Sequence, residues 1–309
     1  MSQVVFVFPG QGAQYPGMGR ELYEQSLLVR DYFQRGDKAL GFPLSKLCFH
    51  GPAPELTLTE NAQPAILILS CAIAALLEEE LGIQPAAVAG LSLGEYSALV
   101  VGGMLDFEAA VRLVSRRGRY MQEAVPAGVG GMAAIFGLDS AQVNELCGQV
   151  EGIVEAANYN CPGQIVVSGD KQGVSNLVAA AKVAGARRAM TLDVSAPFHC
   201  SLLEPAAEKL SQDLAAVEFR SSRMPILSNV DVAPITPHRV RELLAAQVVS
   251  PVLWQQCVEK LAAMGVSTLV EAGPGKTLSG LARKTVRDLP VYNVEKPEDL
   301  LQFKGVLAC

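Results

Sequence analysis

Residues 90–94 read Gly-Leu-Ser-Leu-Gly, the G-x-S-x-G spacing of a nucleophile elbow with Ser92 at its centre. Before it, Ala86-Ala87-Val88-Ala89 is a short apolar run suited to a buried strand, and after it Glu95-Tyr96-Ser97-Ala98-Leu99-Val100 can continue as a helix. An elbow needs that order of strand, tight turn and helix. The central residue takes a strained backbone so that its hydroxyl projects clear of the sheet. Gly90 and Gly94 fit because a side chain at either place crowds the turn. Gly, Ser and Leu are common enough for the pentapeptide to arise by chance; the flanks favour the elbow. A chain built on it has a strand-to-helix crossover at its heart, which points to an α/β fold.

A serine hydroxyl is a poor nucleophile until a base takes its proton, and histidine is the usual base near neutral pH. The chain has three histidines. His238, in Thr236-Pro237-His238-Arg239, reads as the exposed start of a helix. His50 lies in the loop Phe49-His50-Gly51-Pro52 with nothing near it in sequence to orient it. His199 follows Ser195-Ala196-Pro197-Phe198, where two structural units meet and a cleft can form, so it is the candidate base. Ordinary α/β-hydrolases place the histidine late, after an acid. Here Asp106, Asp139, Asp170 and Asp193 stand in no telling context. The pattern suggests a Ser–His dyad whose imidazole is oriented by a neutral group such as a carbonyl. A serine esterase or thioesterase, and a non-enzymatic interaction module, remain rival readings at this point.

The 309 residues suffice for one large or two modest domains, and half of them are hydrophobic, so a substantial core can form. A net charge of −6 argues against nucleic acid as a partner. Seven scattered cysteines with no C-x-x-C pair argue against a disulfide framework or zinc site, so no metal is expected; buried thiols in a reducing cytoplasm are the better reading. Cys200, beside His199, is a weak nucleophile candidate. Met1-Ser2-Gln3 and the short apolar run after it do not form a secretory signal, and the apolar run 65–77, ending in Glu78-Glu79-Glu80, reads as a buried helix and not a membrane span.

Along the chain, periodicity and breakers predict a strand over 3–8, a glycine-rich loop over 9–19, a helix over 20–40, a loop at 52–54, and a buried helix beginning near Pro64. Asp106 has the residue type and context of an N-cap, predicting a helix over 107–123. The run 126–131 reads as a linker. Beyond it come strand 132–137, helix 140–149, strands 153–158 and 164–168, helix 171–184 and strand 189–194, the β-α-β-β-α-β order of a ferredoxin-like unit inserted in a larger α/β domain. Helices near 201–216, 237–247 and 251–264 and strands near 225–228 and 268–271 complete the chain. Two decoys fail. Tyr15 stands where a dinucleotide fingerprint needs its third glycine, and Val270 where a P-loop needs its first.

Several motifs together make a resemblance specific. Phe8-Pro9-Gly10-Gln11-Gly12-Ala13-Gln14, Leu58-Thr59-Glu60-Asn61-Ala62-Gln63-Pro64, Gly90-Leu91-Ser92-Leu93-Gly94-Glu95-Tyr96, Asn158-Tyr159-Asn160-Cys161-Pro162-Gly163-Gln164, Phe198-His199 and Glu271-Ala272-Gly273-Pro274-Gly275 occur in order over nearly the whole chain. The chain resembles the malonyl-CoA:acyl carrier protein transacylase family. The resemblance implies an α/β-hydrolase-like core over 1–126 and 198–309 with a ferredoxin-like subdomain over 127–197. It implies malonyl transfer from malonyl-CoA to the phosphopantetheine thiol of acyl carrier protein through a malonyl-serine, in fatty acid elongation or, alternatively, in trans on a polyketide synthase. Both thioesters are substrates and no cofactor is implied. A cytoplasmic monomer is expected.

By motif, the resemblance makes Ser92 the nucleophile and His199 the base. It gives Gln11 and Leu93 as backbone oxyanion donors, Arg117 as the group holding the malonyl carboxylate, and the Gln247 carbonyl as the group orienting the histidine. Gln63, Met121, Asn160 and Phe198 are implied pocket residues. Leu91 departs from the family, which usually has His there. An elbow points that residue away from the hydroxyl, so the chemistry is expected to survive. For docking an acidic carrier, Arg187, Arg188, Arg283, Lys284 and Arg287 are the candidate cations.

Overall fold

The computed structural model describes residues 3–126, 128–194 and 196–307. The residues outside it include Met1 and Ser2 of the signal reading, Ala127 where the insertion was expected to begin, Ser195 in the run before His199, and Cys309.

Two four-stranded sheets carry the architecture. The first is parallel, with spatial order β2 (Ala87–Gly90), β1 (Val4–Phe8), β7 (Thr268–Ala272) and β8 (Val291–Val294). β1 and β2 are buried on both faces, and β7 nearly so, as expected of strands covered by helices; β1 and β2 are correspondingly unbroken apolar runs, while β7 carries the buried Glu271. Two of its strands precede the second sheet in sequence and two follow it.

The second sheet is antiparallel and contains β3 (Gly130–Phe136), β4 (Val154–Cys161), β5 (Gln164–Asp170) and β6 (Arg188–Leu192), in spatial order β4-β5-β3-β6. The helices Ser140–Gln149 and Lys171–Val183 cover one face through Val143, Val174, Leu177 and Ala181. This is the ferredoxin-like order. Backbone ties this sheet to the segment before the helix Trp254–Ala263: Tyr159 N donates to Val252 O at 3.0 Å and Val252 N to Ala157 O at 2.8 Å.

Several boundaries differ from expectation for identifiable reasons. The helix expected over 20–40 is two, Arg20–Gln25 and Leu27–Leu40, because Ser26 adopts an extended conformation and its hydroxyl caps Val29 N. The helix expected to begin near Pro64 begins at Thr59 and runs to Leu81. Pro64 removes a donor, but helix Phe107–Glu123 closes on this first turn: a Cβ on Gly118 would lie 2.4 Å from Thr59 O. Asp106 caps that helix as expected, its carboxylate accepting from Ala109 N at 2.9 Å. The loop expected at 52–54 runs into a short helix, Ala53–Thr57.

The strand expected at 225–228 is reduced to bridges, Ile226 lying parallel to Val88 at the β2 edge. Strand β8 and the helices Leu44–His50, Thr277–Thr285 and Pro297–Leu307 were not anticipated, and the first of these helices takes in His50, which was expected in a loop. Among the described residues, no helix is long and apolar enough to cross a membrane, and no group of three or more His, Cys, Asp or Glu could hold a metal ion.

Candidate active site

Ser92 follows the end of β2 and caps the helix Leu93–Val101, with φ 53° and ψ −104°. Non-glycine residues rarely occupy that region. The neighbouring glycines are dictated by backbone approach. A Cβ on Gly90 would sit 1.9 Å from Gly94 C, and one on Gly94 would sit 2.0 Å from Phe8 O. Leu91 packs beside the apolar cluster of Trp254 and Leu261.

The serine Oγ lies 2.8 Å from His199 Nε2, across 107 residues of sequence. His199 Nδ1 lies 2.8 Å from the backbone oxygen of Gln247. A carbonyl only accepts, so Nδ1 carries the proton and Nε2 presents its lone pair to the serine hydroxyl. The ring is 3% exposed. Burial, and after it the nearby Arg117 cation, lowers the His199 pKa to about 4, so the imidazole is neutral at pH 7 with a lone pair free to accept a proton. His199 itself has φ 62°, in the left-handed region. It sits where the chain leaves the antiparallel sheet.

Arg117 projects from the helix Phe107–Glu123 and is 1% exposed. One terminal nitrogen donates to Gln63 Oε1 at 2.8 Å; the other donates to Ser92 Oγ at 3.2 Å and Gln247 Oε1 at 2.9 Å. The guanidinium lies 5.3 Å from the centre of the Tyr96 ring, a cation–π contact. Its Nε has no partner among the described residues. A buried guanidinium whose hydrogen-bond acceptors are all neutral is poised for an anion, since a carboxylate adds an opposite charge and can accept two parallel N–H bonds.

A cleft of about 730 Å³ between the two sheets brings nearly all of the expected residues together. Gln11, Gln63, Ser92, Leu93, Arg117, Met121, Asn160, Phe198 and His199 line it. Gln247 lies behind, where its carbonyl meets the imidazole. Leu93 opens its helix, so its N–H has no carbonyl one turn back and is available to an anion. The Gln11 side chain is tethered to Thr59 Oγ1 at 3.2 Å, which fixes the loop after β1. Gln63 Nε2 contacts Met121 Sδ at 3.7 Å. His50 and His238 are exposed and lie outside the cleft lining. Cys200 donates to Pro197 O, and burial pushes its thiol up, which leaves it a poor nucleophile.

Sequence reasoning missed the polar layer beneath the elbow. Glu95 and Asn229 are both fully buried. Asn229 Oδ1 accepts from Ser92 N at 2.6 Å, its Nδ2 donates to Gly90 O at 2.8 Å, and its own N–H donates to Glu95 Oε2 at 2.7 Å. The other Glu95 oxygen lies beside the Gln247 amide with no partner in bonding geometry among the described residues. Burial raises the Glu95 pKa to about 8; the Asn229 N–H and the positive Arg117 oppose that rise. Burial in turn lowers the Arg117 pKa. A carboxylate on an otherwise apolar helix was a readable signal for Glu95. Asn229, in an irregular run, offered none.

Residues 5–299 match the family model described as the acyl transferase domain. The malonyl CoA-acyl carrier protein transacylase of Bacillus subtilis (strain 168) is 48% identical over 304 residues, covering 97% of this chain and 96% of that one. The enzyme of the same name from Escherichia coli (strain K12) is 46% identical, covering 96% and 97%. Among solved structures, the malonyl CoA-acyl carrier protein transacylase from Coxiella burnetii superposes with a TM-score of 0.97 at 39% identity, over 100% of this chain and 98% of that one. A malonyl-transacylase in complex with its type II polyketide synthase acyl-carrier protein gives 0.96 at 41% identity, over 99% and 100%.

Proposed function

This chain belongs to the acyl transferase family, and we propose on that footing that Ser92 and His199 are the dyad through which it carries malonyl from coenzyme A to acyl carrier protein. The contact of Ser92 Oγ with His199 Nε2 at 2.8 Å is the observation that carries this reading. Malonyl-CoA enters the cleft with its carboxylate on Arg117. One methylene separates that carboxylate from the thioester carbon. Arg117 touches Ser92 Oγ, so a carboxylate on the guanidinium sets the thioester carbon beside the attacking oxygen. Acetyl lacks the anchor, and a longer diacid misplaces the carbonyl.

His199 accepts the hydroxyl proton as Ser92 attacks, and the Gln247 carbonyl supports the resulting imidazolium through Nδ1–H. The backbone N–H groups of Gln11 and Leu93 bind the developing oxyanion; losing one such donor typically costs roughly 100- to 1000-fold. The tetrahedral intermediate collapses, the coenzyme A sulfur takes the proton and departs, and malonyl-serine remains. The phosphopantetheine thiol of the carrier then gives its proton to His199, attacks the ester and regenerates Ser92. No cofactor takes part in these steps, and the chain acts as a monomer. Which carrier docks decides whether fatty acid or polyketide elongation is served.

Mass spectrometry after mixing with malonyl-CoA tests the reading. One malonyl group is expected on Ser92 and none on Ser92→Ala. Arg117→Ala is expected to slow malonylation by roughly 10- to 100-fold, the worth of a hydrogen bond to a charged group, and acetylation less. An unchanged adduct on Ser92→Ala defeats the nucleophile, and equal losses for the two acyl groups defeat the role of Arg117.

A further inference from the structure

We propose that Asn229, anchored by Glu95, is the positioning residue that holds Ser92 in its strained conformation and so aims the nucleophile in both half-reactions. The inference rests on the reading of Ser92 as the nucleophile.

A backbone at φ 53° and ψ −104° persists only where the surroundings hold it. Ser92 is past the end of the β2 ladder and one residue before its helix, so neither element offers its N–H a partner. The Asn229 side-chain oxygen supplies one at 2.6 Å. The same amide gives its nitrogen to Gly90 O at 2.8 Å, the last carbonyl of the strand. One side chain therefore spans the bend from strand end to nucleophile, and it needs an acceptor and a donor at fixed separation. Asparagine has both, aspartate lacks the donor, and leucine lacks both.

Asn229 is itself immobilised. Its N–H donates to Glu95 Oε2 at 2.7 Å, and its carbonyl accepts from Leu253 N at 2.9 Å. Glu95 lies in the first turn of the helix that Ser92 caps. The connections form a closed ring: along the chain from Ser92 to Glu95, across to the Asn229 backbone, and back through its side chain to Ser92. The serine carbonyl is fixed too, by Glu95 N and Gln247 Nε2, each at 3.1 Å. Rotation about the Ser92 backbone swings Cβ and carries Oγ away from His199 and Arg117 together. The ring blocks that rotation without touching substrate.

Single-turnover acylation by malonyl-CoA in Asn229→Ala, Glu95→Gln and Glu95→Ala tests the proposal, with malonyl-CoA affinity measured for each in a Ser92→Ala background. Asn229→Ala is expected to lower the saturated acylation rate about 100-fold, the usual effect of a small misplacement of reacting groups, with affinity unchanged. Glu95→Gln keeps an oxygen to accept the Asn229 N–H and retains most of the rate, whereas Glu95→Ala does not. A wild-type rate in Asn229→Ala, or a loss confined to affinity, overturns the proposal. Should Asn229→Ala fail to fold, hydrogen exchange at the wild-type Ser92 amide decides. Protection comparable to the β1 amides supports the brace, and rapid exchange defeats it. Absence of a malonyl adduct on wild-type Ser92 defeats the transferase reading, and the same amide exchange then judges the brace by itself.

Discussion

At the scale of single residues, the site depends on an imidazole kept neutral by its surroundings. The folded pKa of about 4 lies below the ordinary 6.5. The unfolded chain therefore takes up the proton first as pH falls, and this group's stability contribution is fully present above 6.5 and is lost on descending toward 4. The same shift governs catalysis. In kcat/KM for malonyl-CoA, which reports the free enzyme, the acid limb is expected near pH 4 and not near 6.5. A bound malonyl carboxylate offsets the Arg117 charge, one of the two causes of the lowered value, so the acid limb of kcat is expected at higher pH than that of kcat/KM. Stopped-flow pH profiles check both, and a limb at 6.5 in kcat/KM contradicts the buried neutral base. Ser92 and His199 were legible in the sequence because the elbow has a fixed spacing and only three histidines compete for the base. The bracing Asn229 was not, since its partners lie 134 to 139 positions away and its neighbours follow no periodic pattern.

At the scale of elements, the elbow exists because two backbones pass too closely for any side chain. A Cβ on Gly94 would meet Phe8 O at 2.0 Å, and that contact is backbone, which cannot rotate aside. Gly94→Ala is expected to push the segment after Phe8 outward, carrying the Gln11 N–H away from its proposed oxyanion role. Overpacking of this kind costs about 1–3 kcal/mol or more, so both the denaturation midpoint and the acylation rate fall. Gly148 provides the contrast. It lies inside the helix Ser140–Gln149, where a Cβ would meet nothing within 4 Å, and Gly148→Ala is expected to raise stability by about 0.5–1 kcal/mol with activity unchanged. Equal effects at the two glycines, measured by denaturant titration, refute the close-approach account. The ferredoxin-like order was legible because its strands and helices alternate with clear breakers. The edge at 225–228 was not, because Pro225 and the bends after it leave bridges in place of a ladder.

At the scale of the whole molecule, catalysis joins two sheets: the parallel one presents Ser92, and His199 lies where the chain returns from the antiparallel one. On the proposed function, the carrier's prosthetic arm enters between them. Lys284, on the helix Thr277–Thr285, reaches Gln164 of β5 at 3.5 Å, and Gln164 lines the cleft, so this cation marks the entrance. Gln164, Phe136 and Arg188 pair in one row across β5, β3 and β6, which sets Arg188 roughly 10 Å from Gln164 by strand spacing. Arg283 is less available, because its guanidinium donates to Val291 O at 2.7 Å. If the carrier is acidic, exposed cations at the mouth of a chain with net charge −6 would steer it locally. Lys284→Glu combined with Arg188→Glu is therefore expected to raise KM for the carrier severalfold at low salt, with the deficit shrinking as salt rises toward 1 M, where the Debye length is about 3 Å. At saturating malonyl-CoA the acylation rate of Ser92 is expected to stay at the wild-type value, since neither side chain is among the hydrogen-bond partners of Ser92 or Arg117. Carrier kinetics that ignore both reversals at low salt place the docking face elsewhere on the surface. Composition could not reveal this face, because a summed charge carries no geometry; the antiparallel sheet sets 164 and 188 in one row, and the packing of the helix Thr277–Thr285 against it brings 284 to 164.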